Sequence, residues 1–177
     1  MEENKQRRGR EKMLEHCSER LRAALASASF FIGDTAREIV ADFPWPTRLH
    51  TLLPNALVPS RSGFGDWKFR EYDNWQGFCA DVTAIPLDDC GYGYLYLGND
   101  VPLFLVDFQV LAPLLGDLMC YLDANGRCNC DVACVSRDAG FILGRHTGYL
   151  SEEVGRGAVE HDTVFELCTW GVGALPR

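Results

Sequence analysis

The 177-residue chain lacks any long hydrophobic run. Its most apolar stretches, Val101–Val106 and Val110–Leu115, are far shorter than the roughly 20 residues needed to cross a bilayer. The first residues are Met-Glu-Glu followed by a basic run, without the apolar segment of a secretory signal. We therefore expect an intracellular protein with no membrane partner.

The common catalytic and nucleotide-binding motifs are also missing from the sequence. There is no Walker loop, no dinucleotide-binding glycine fingerprint, no GxSxG elbow and no HExxH motif. Gly91-Tyr92-Gly93 precedes a predicted strand, whereas a phosphate-binding glycine loop precedes a helix. We therefore predict that the protein is not an enzyme and needs no cofactor.

Cysteine, by contrast, is plentiful, with eight residues. Because no secretory signal is seen, we expect a reducing compartment, where free cysteines pack as small apolar residues. Cys120, Cys128, Cys130 and Cys134 would meet across a hairpin, but their spacing differs from the paired C-x-x-C knuckles of zinc sites. We predict core packing and no metal. The alternative is a zinc- or thiol-dependent enzyme in which a thiolate lies beside one of the four histidines.

Charge is distributed unevenly along the chain, which has a net charge of −8. Residues 1–70 contain 12 Lys/Arg against 9 Asp/Glu, and residues 71–177 contain 5 against 16. An acidic body repels phosphate backbones, which disfavours nucleic acid and favours a protein partner with a basic surface. The basic run Lys5–Arg10 with Lys12 is interpreted as a solvated tail, with a nuclear-import or nucleic-acid patch as the alternative.

Helices are predicted in the first part of the chain and strands after it. Apolar residues recur every three or four positions from Met13 to Ala28, which predicts a helix over Glu11–Ser29. A second helix is predicted over Thr35–Asp42, before a proline pair. The following strands are predicted from alternation and aromatic content: Trp67–Tyr72, Tyr92–Leu97 and Val101–Phe108.

The last third of the chain is predicted to contain a hairpin. Leu118–Leu122 is its first strand, Asp123–Gly126 its turn and Arg127–Val135 its second strand. Residues 110–115 and 136–150 are each predicted to include a short helix, with a loop or a turn as the alternative, and Asp162–Trp170 is a last strand or short helix. The predicted fold is α+β, with the N-terminal helices packed on one face of a mostly antiparallel sheet. We expect a basic polar tail at residues 1–12 and one domain at residues 13–177.

Aromatic residues are concentrated between Trp67 and Phe78. Such side chains anchor many interfaces but also fill cores, and we expect this group to divide between the two. Aspartates at turns add negative charge to a candidate surface, although their carboxylates are also common there because they bond nearby amides. The candidate protein-binding residues are Trp67, Tyr72, Trp75, Asp88, Asp89 and Asp100.

Two segments carry a resemblance to a known family. Tyr94–Gly98 (YLYLG) is a hydrophobic strand ending in Leu-Gly, and Gly116–Cys128 (GDLMCYLDANGRC) follows the order hydrophobic strand, D-x-x-G, hydrophobic strand. Phe141–Gly144 (FILG) and Leu52-Leu53-Pro54 add weaker similarity. The stretch resembles the SUKH superfamily, which includes bacterial Smi/Knr-like immunity domains and the "US-twenty-two" proteins of large DNA viruses. In that family a short helix would lie at Phe141–Gly144.

The resemblance implies a SUKH-like fold without catalytic residues, because members of the superfamily bind and neutralise other proteins. We therefore expect a viral protein that neutralises host defence factors in the cytoplasm or nucleus of a host cell. A bacterial immunity protein that neutralises a toxin is the alternative within the same family.

Overall fold

The computed structural model describes residues 8, 10–11, 14–41, 67–87, 89–97, 103–124, 130–149 and 160–174. These residues form a mixed α+β fold built on a seven-stranded antiparallel sheet, which confirms the predicted fold class. The strands are β1 (Ser29–Phe31), β2 (Lys68–Tyr72), β3 (Tyr92–Tyr96), β4 (Leu103–Asp107), β5 (Cys130–Val135), β6 (Gly140–Tyr149) and β7 (Glu160–Trp170).

The order of strands across the sheet is β1-β4-β3-β5-β6-β7-β2, and every neighbouring pair is antiparallel. The two outermost strands of the described sheet, β1 and β2, therefore come from the first part of the chain. The strands β3 to β7, which follow β1 and β2 in sequence, lie between these two in the sheet. Strand β2 pairs with β7 from Lys68 opposite Thr169 to Tyr72 opposite Phe165.

Helices come before β1 and between β1 and β2, β2 and β3, and β4 and β5 along the chain. They are α1 (Glu19–Ser27), α2 (Gly33–Ala41), α3 (Trp75–Thr83), α4 (Phe108–Leu111) and α5 (Leu115–Ala124). The helix predicted over Glu11–Ser29 is interrupted after Leu14 and Glu15, which are helical. Helix α1 begins after Ser18, which caps it because its Oγ accepts a hydrogen bond of 3.1 Å from the Leu21 backbone nitrogen. The helix ends before Ser29, which begins β1.

Both faces of the sheet are covered, which differs from the expected packing of helices on one face. The larger cluster of buried residues joins α1, α3, α4 and α5 to one face, and a smaller cluster joins Ala36 of α2 to the other. Strand β5 shows the alternation, since Val132 and Cys134 lie in the larger cluster whereas Ala133 and Val135 lie in the smaller one.

The predicted hairpin at residues 118–135 is wrong in its first half. Leu118–Leu122 belongs to helix α5, not to a strand. The buried residues Leu115, Leu118, Met119 and Leu122 follow the helical spacing of three and four, and Cys120 is exposed. The second half is confirmed, because Cys130–Val135 forms β5.

Residues 136–150 include a turn, which was one of the two predicted alternatives, and then strand β6, which was not predicted. Strand β5 turns back at Ser136–Ala139, where the Ser136 nitrogen donates a hydrogen bond of 2.7 Å to the Ala139 carbonyl. The Ser136 Oγ accepts bonds from the nitrogens of Asp138 and Ala139, which fixes this tight turn. The chain then continues as β6, paired with β5 and β7.

Candidate functional site

The aromatic candidates pack mainly within the molecule. Trp67 is 9% exposed and stacks on Trp170 with 5.9 Å between ring centroids. Half-buried Trp75 lies 5.2 Å from the Phe165 ring and also contacts Phe78. Packing within the chain is therefore enough to explain why Trp67, Trp75 and Phe78 are close together in the sequence, and no binding partner is needed for it.

Tyr72, a further candidate, joins strand β2 to helix α3. Its hydroxyl donates a hydrogen bond of 2.7 Å to Oδ2 of Asp81, and Nη1 of Arg70 lies 2.6 Å from the same oxygen. Burial, and then the bond to Asp81, raises the pKa of Tyr72 to about 12. The bond from Tyr72, and then that from Arg70, lowers the pKa of Asp81. Such a pair holds two elements together and is poorly matched to proton exchange near neutral pH.

The acidic candidates are placed in part. Asp89 is exposed, two residues before the Gly91 carbonyl that accepts a hydrogen bond of 2.8 Å from the Phe108 nitrogen. Asp88 and Asp100 lie outside the described residues. Asp89 is therefore at the end of the sheet where β3 begins and β4 ends.

The cysteine quartet is not brought together in the way the hairpin predicted. Cys120 is exposed on α5, whereas Cys134 is fully buried in β5. Cys128 and the side chain of Cys130 lie outside the described part. Among the side chains that are described, no three His, Cys, Asp or Glu come together as a metal site.

The described thiols have the electrostatics of packed residues. Burial raises the pKa of Cys17 to about 11, and burial also raises the pKa values of Cys134 and Cys168. Burial, and then the neighbouring Cys120, raises the pKa of Cys79. Nucleophilic thiols need the opposite shift, because the thiolate is the reactive form. These four cysteines therefore suit packing better than catalysis.

A groove of about 130 Å³ lies between the C-terminal half of α1 and the junction of β4 with α4. Pairing of β1 with β4 ends at Leu105, and Val106 and Asp107 then contribute to the groove wall. The small side chains of α1 leave the space open on the other side. We call this the α1–α4 groove, lined by Leu21, Ala24, Leu25, Ser27, Ala28, Leu105, Val106, Asp107, Val110, Leu111 and Leu114.

Of the large exposed apolar side chains, Val110 lines this groove and is 53% exposed. Phe30, 42% exposed, is on the strand that follows α1 and packs against the Arg10 guanidinium. Tyr92, 63% exposed, shares the other face of the sheet with Tyr94 and Tyr96. An exposed apolar residue beside an apolar groove is a feature of many interaction surfaces.

The polar groups of the groove are already used within their own elements. The Ser27 hydroxyl donates to the Ala24 carbonyl at 3.1 Å, and Oδ1 of Asp107 accepts from the Gln109 nitrogen at 2.8 Å as the cap of α4. The remaining lining side chains are apolar. The described lining is therefore mostly apolar, and its hydrogen-bonded polar atoms are Oγ of Ser27 and Oδ1 of Asp107.

Charged groups of both signs lie near the groove. Arg20 is bound to Asp117 at 3.3 Å and to the Pro113 carbonyl at 3.0 Å. Arg10 donates to the carbonyls of Leu25 and Ala26 at the end of α1. Asp107, which lines the groove, forms no ion pair within the described residues and accepts a hydrogen bond from the Gln109 nitrogen.

No pattern in the sequence predicts this groove. Val110 falls in a predicted short helix or loop, and Ala24, Ser27 and Ala28 fall in the first predicted helix. The run of small residues Ala23-Ala24 and Ala26–Ala28 was a signal for close approach or open space beside α1. Nothing in the sequence indicated that β4 would lie next to it.

The structure describes part of the segments behind the SUKH resemblance. Tyr94–Tyr96 belongs to β3, as predicted, but Leu118–Leu122 is helical and Phe141–Gly144 lies in strand β6. Leu52-Leu53-Pro54 and the predicted turn at Asn125-Gly126 lie outside the described residues. No helix in the described part of the chain has the length and apolar character that crossing a bilayer requires. Comparisons with protein-family models, with curated proteins and with solved structures give no match.

Proposed function

We propose that this chain is a protein-binding module that recognises a partner with a basic surface and catalyses no reaction. The observation that supports this most directly is the apolar α1–α4 groove, whose lining includes the exposed side chain of Val110 and the carboxylate of Asp107. The excess of acidic residues after residue 70 adds a favourable long-range field for such a partner.

The biological setting that we propose comes from the SUKH resemblance. In that setting the chain is a viral protein that binds and neutralises a host defence factor inside the host cell. A bacterial immunity protein against a basic toxin would use the same charge complementarity, so the partner's identity separates the two.

Affinity capture with reconstitution tests the proposal. The full-length chain is immobilised and exposed to host-cell and bacterial lysates, and each enriched protein is purified and titrated against the chain by calorimetry. We expect a saturable complex with a basic protein, weakened by salt because screening reduces the electrostatic attraction. A failure of every enriched protein to form a saturable complex would contradict the proposal, as would turnover of a captured molecule.

A further inference from the structure

We propose, on the basis of the protein-binding function above, that the α1–α4 groove binds one large apolar side chain of a partner protein. A Lys or Arg of the same partner segment then lies beside Asp107. The binding surface is then the α1–α4 groove, the anchor is the apolar side chain of the partner, and the electrostatic contact is made by Asp107.

The size of the groove selects the class of ligand. Pockets for cofactors and drug-sized molecules start at about 300 Å³. An apolar cavity of about 150 Å³ holds a molecule of the size of benzene. A groove of about 130 Å³ therefore suits a single leucine or phenylalanine side chain and is too small for a cofactor.

The lining explains why the ligand should be apolar at its centre. Leu25 and Leu111 are buried, and the polar atoms of Ser27 and Asp107 are hydrogen-bonded within their own elements. A polar side chain at the centre of the groove would give up its hydrogen bonds to water without replacing them. An apolar side chain has no such hydrogen bonds to give up, so its burial carries no such cost. Val110, exposed at the mouth, would become buried by the partner.

The charge at the rim explains the basic neighbour. Asp107 is the charged residue among those that line the groove, and it forms no ion pair within the described residues. Arg20 is paired with Asp117, whereas Arg10 keeps its charge while it donates to the Leu25 and Ala26 carbonyls. A cation on the partner therefore gains an attraction where it lies beside Asp107.

Selection of random peptides displayed on phage tests this proposal with the immobilised full-length chain. We expect the enriched peptides to share a large apolar residue within a few positions of Lys or Arg. Synthetic copies of these peptides are then measured by fluorescence anisotropy against the wild-type chain and its variants.

The substitution Ala24→Phe fills the groove from within α1. We expect the peptides to bind at least about tenfold more weakly, as is typical when an interface anchor is lost. Ala23→Phe is the matched control, because Ala23 is exposed on the same helix and does not line the groove. Val110→Gln, at an exposed position that disturbs no buried contact, should also weaken binding if Ala24→Phe fails to fold.

The substitution Asp107→Asn isolates the charge, because asparagine keeps an oxygen that can cap α4. We expect about threefold weaker binding at low ionic strength and no difference at high salt. Equal binding to wild type, Ala24→Phe and Val110→Gln would overturn the groove assignment and leave the protein-binding function standing. Enrichment of basic peptides without an apolar residue, or of none at all, would also overturn it. The protein-binding function itself is tested separately by the affinity-capture experiment described under Proposed function.

Discussion

At the residue scale, arginine side chains join successive elements through backbone carbonyls. Arg10 donates to the last turn of α1 and lies 4.5 Å above the Phe30 ring, and Arg22 donates to the Leu14 carbonyl at 2.8 Å. Arg145 of β6 donates to the carbonyl and the carboxylate of Asp123, near the end of α5. A cation at a helix C-terminus complements the helix dipole. Part of the basic N-terminal run is thus used in folding, and the solvated-tail interpretation does not hold for Arg10.

The bond between Tyr72 and Asp81 gives a stability prediction. Tyr72→Phe should lower the free energy of unfolding by about 1 kcal/mol at pH 7, because it removes one partly buried hydrogen bond to a carboxylate. Folding raises the pKa of Tyr72 from 10.0 to about 12, so this contribution is complete below pH 10 and is lost as pH rises towards 12. Folding lowers the pKa of Asp81, so its contribution is lost as pH falls below its ordinary value of 3.8.

Urea unfolding across this pH range provides the measurement. Tyr92→Phe is the control, because Tyr92 is 63% exposed and its loss of a hydroxyl should change little. A Tyr72→Phe chain as stable as wild type at pH 7 would show that the bond contributes nothing. A deficit that stays constant above pH 10 would contradict the assigned protonation change.

At the element scale, periodicity predicted the strands with clear alternation and misassigned a short apolar run. Strands β2, β3, β4 and β5 and the second half of the first helix were predicted, and β7 was one of the two alternatives for Asp162–Trp170. Leu118–Leu122 is hydrophobic at every position, so a strand and a buried helix fit it equally well by composition. The spacing from Leu115 to Leu122 identifies the helix once the window is extended backwards.

Helix α3 was not predicted, although its signals are present in the sequence. Asn74 caps it through Oδ1, which accepts a hydrogen bond of 2.7 Å from the Gly77 nitrogen. Trp75, Phe78 and Val82 then follow helical spacing and contact the core. The aromatic content of the preceding strand favoured a continued β interpretation of this segment.

The assignment of α5 is testable at Gly116. This exposed helical residue has open space where a side chain would begin, so Gly116→Ala should stabilise the protein by about 0.5–1 kcal/mol. Gly93→Ala is the contrasting variant. A Cβ at Gly93 would lie 2.5 Å from Cζ of Phe108 and 3.0 Å from Sγ of Cys134, so it should destabilise by about 1–3 kcal/mol. Chemical denaturation measures both, and no gain from Gly116→Ala would argue against a helix there.

At the scale of the whole molecule, the sheet depends on pairings between distant parts of the chain. Strand β2 near residue 70 pairs with β7 near residue 168, and β1 near residue 30 pairs with β4 near residue 104. No local pattern specifies these partners, which is why the strand order and the α1–α4 groove could not be predicted. The groove needs α1 and β4 to meet, and only the completed sheet brings them together.

The same topology predicts slow folding. The entropy cost of closing long loops arises before the paired strands contribute stabilising contacts. We therefore expect refolding in milliseconds to seconds rather than microseconds. Stopped-flow fluorescence can follow the Trp67–Trp170 stack, which forms when β2 joins β7. Trp170→Phe identifies that part of the signal. Development of the Trp170-dependent signal within microseconds would contradict the expected late pairing.

The two outermost strands also bear on how copies of the chain behave towards one another. Strand β1 has three residues and is enclosed in sequence by α1 and α2, and β2 carries exposed Lys68, Arg70 and Glu71. Short strands and charged side chains at the edges of a sheet oppose the edge-to-edge pairing between molecules that leads to fibrils. The molecule can therefore keep an apolar groove exposed for a partner while its sheet offers little template for polymerisation.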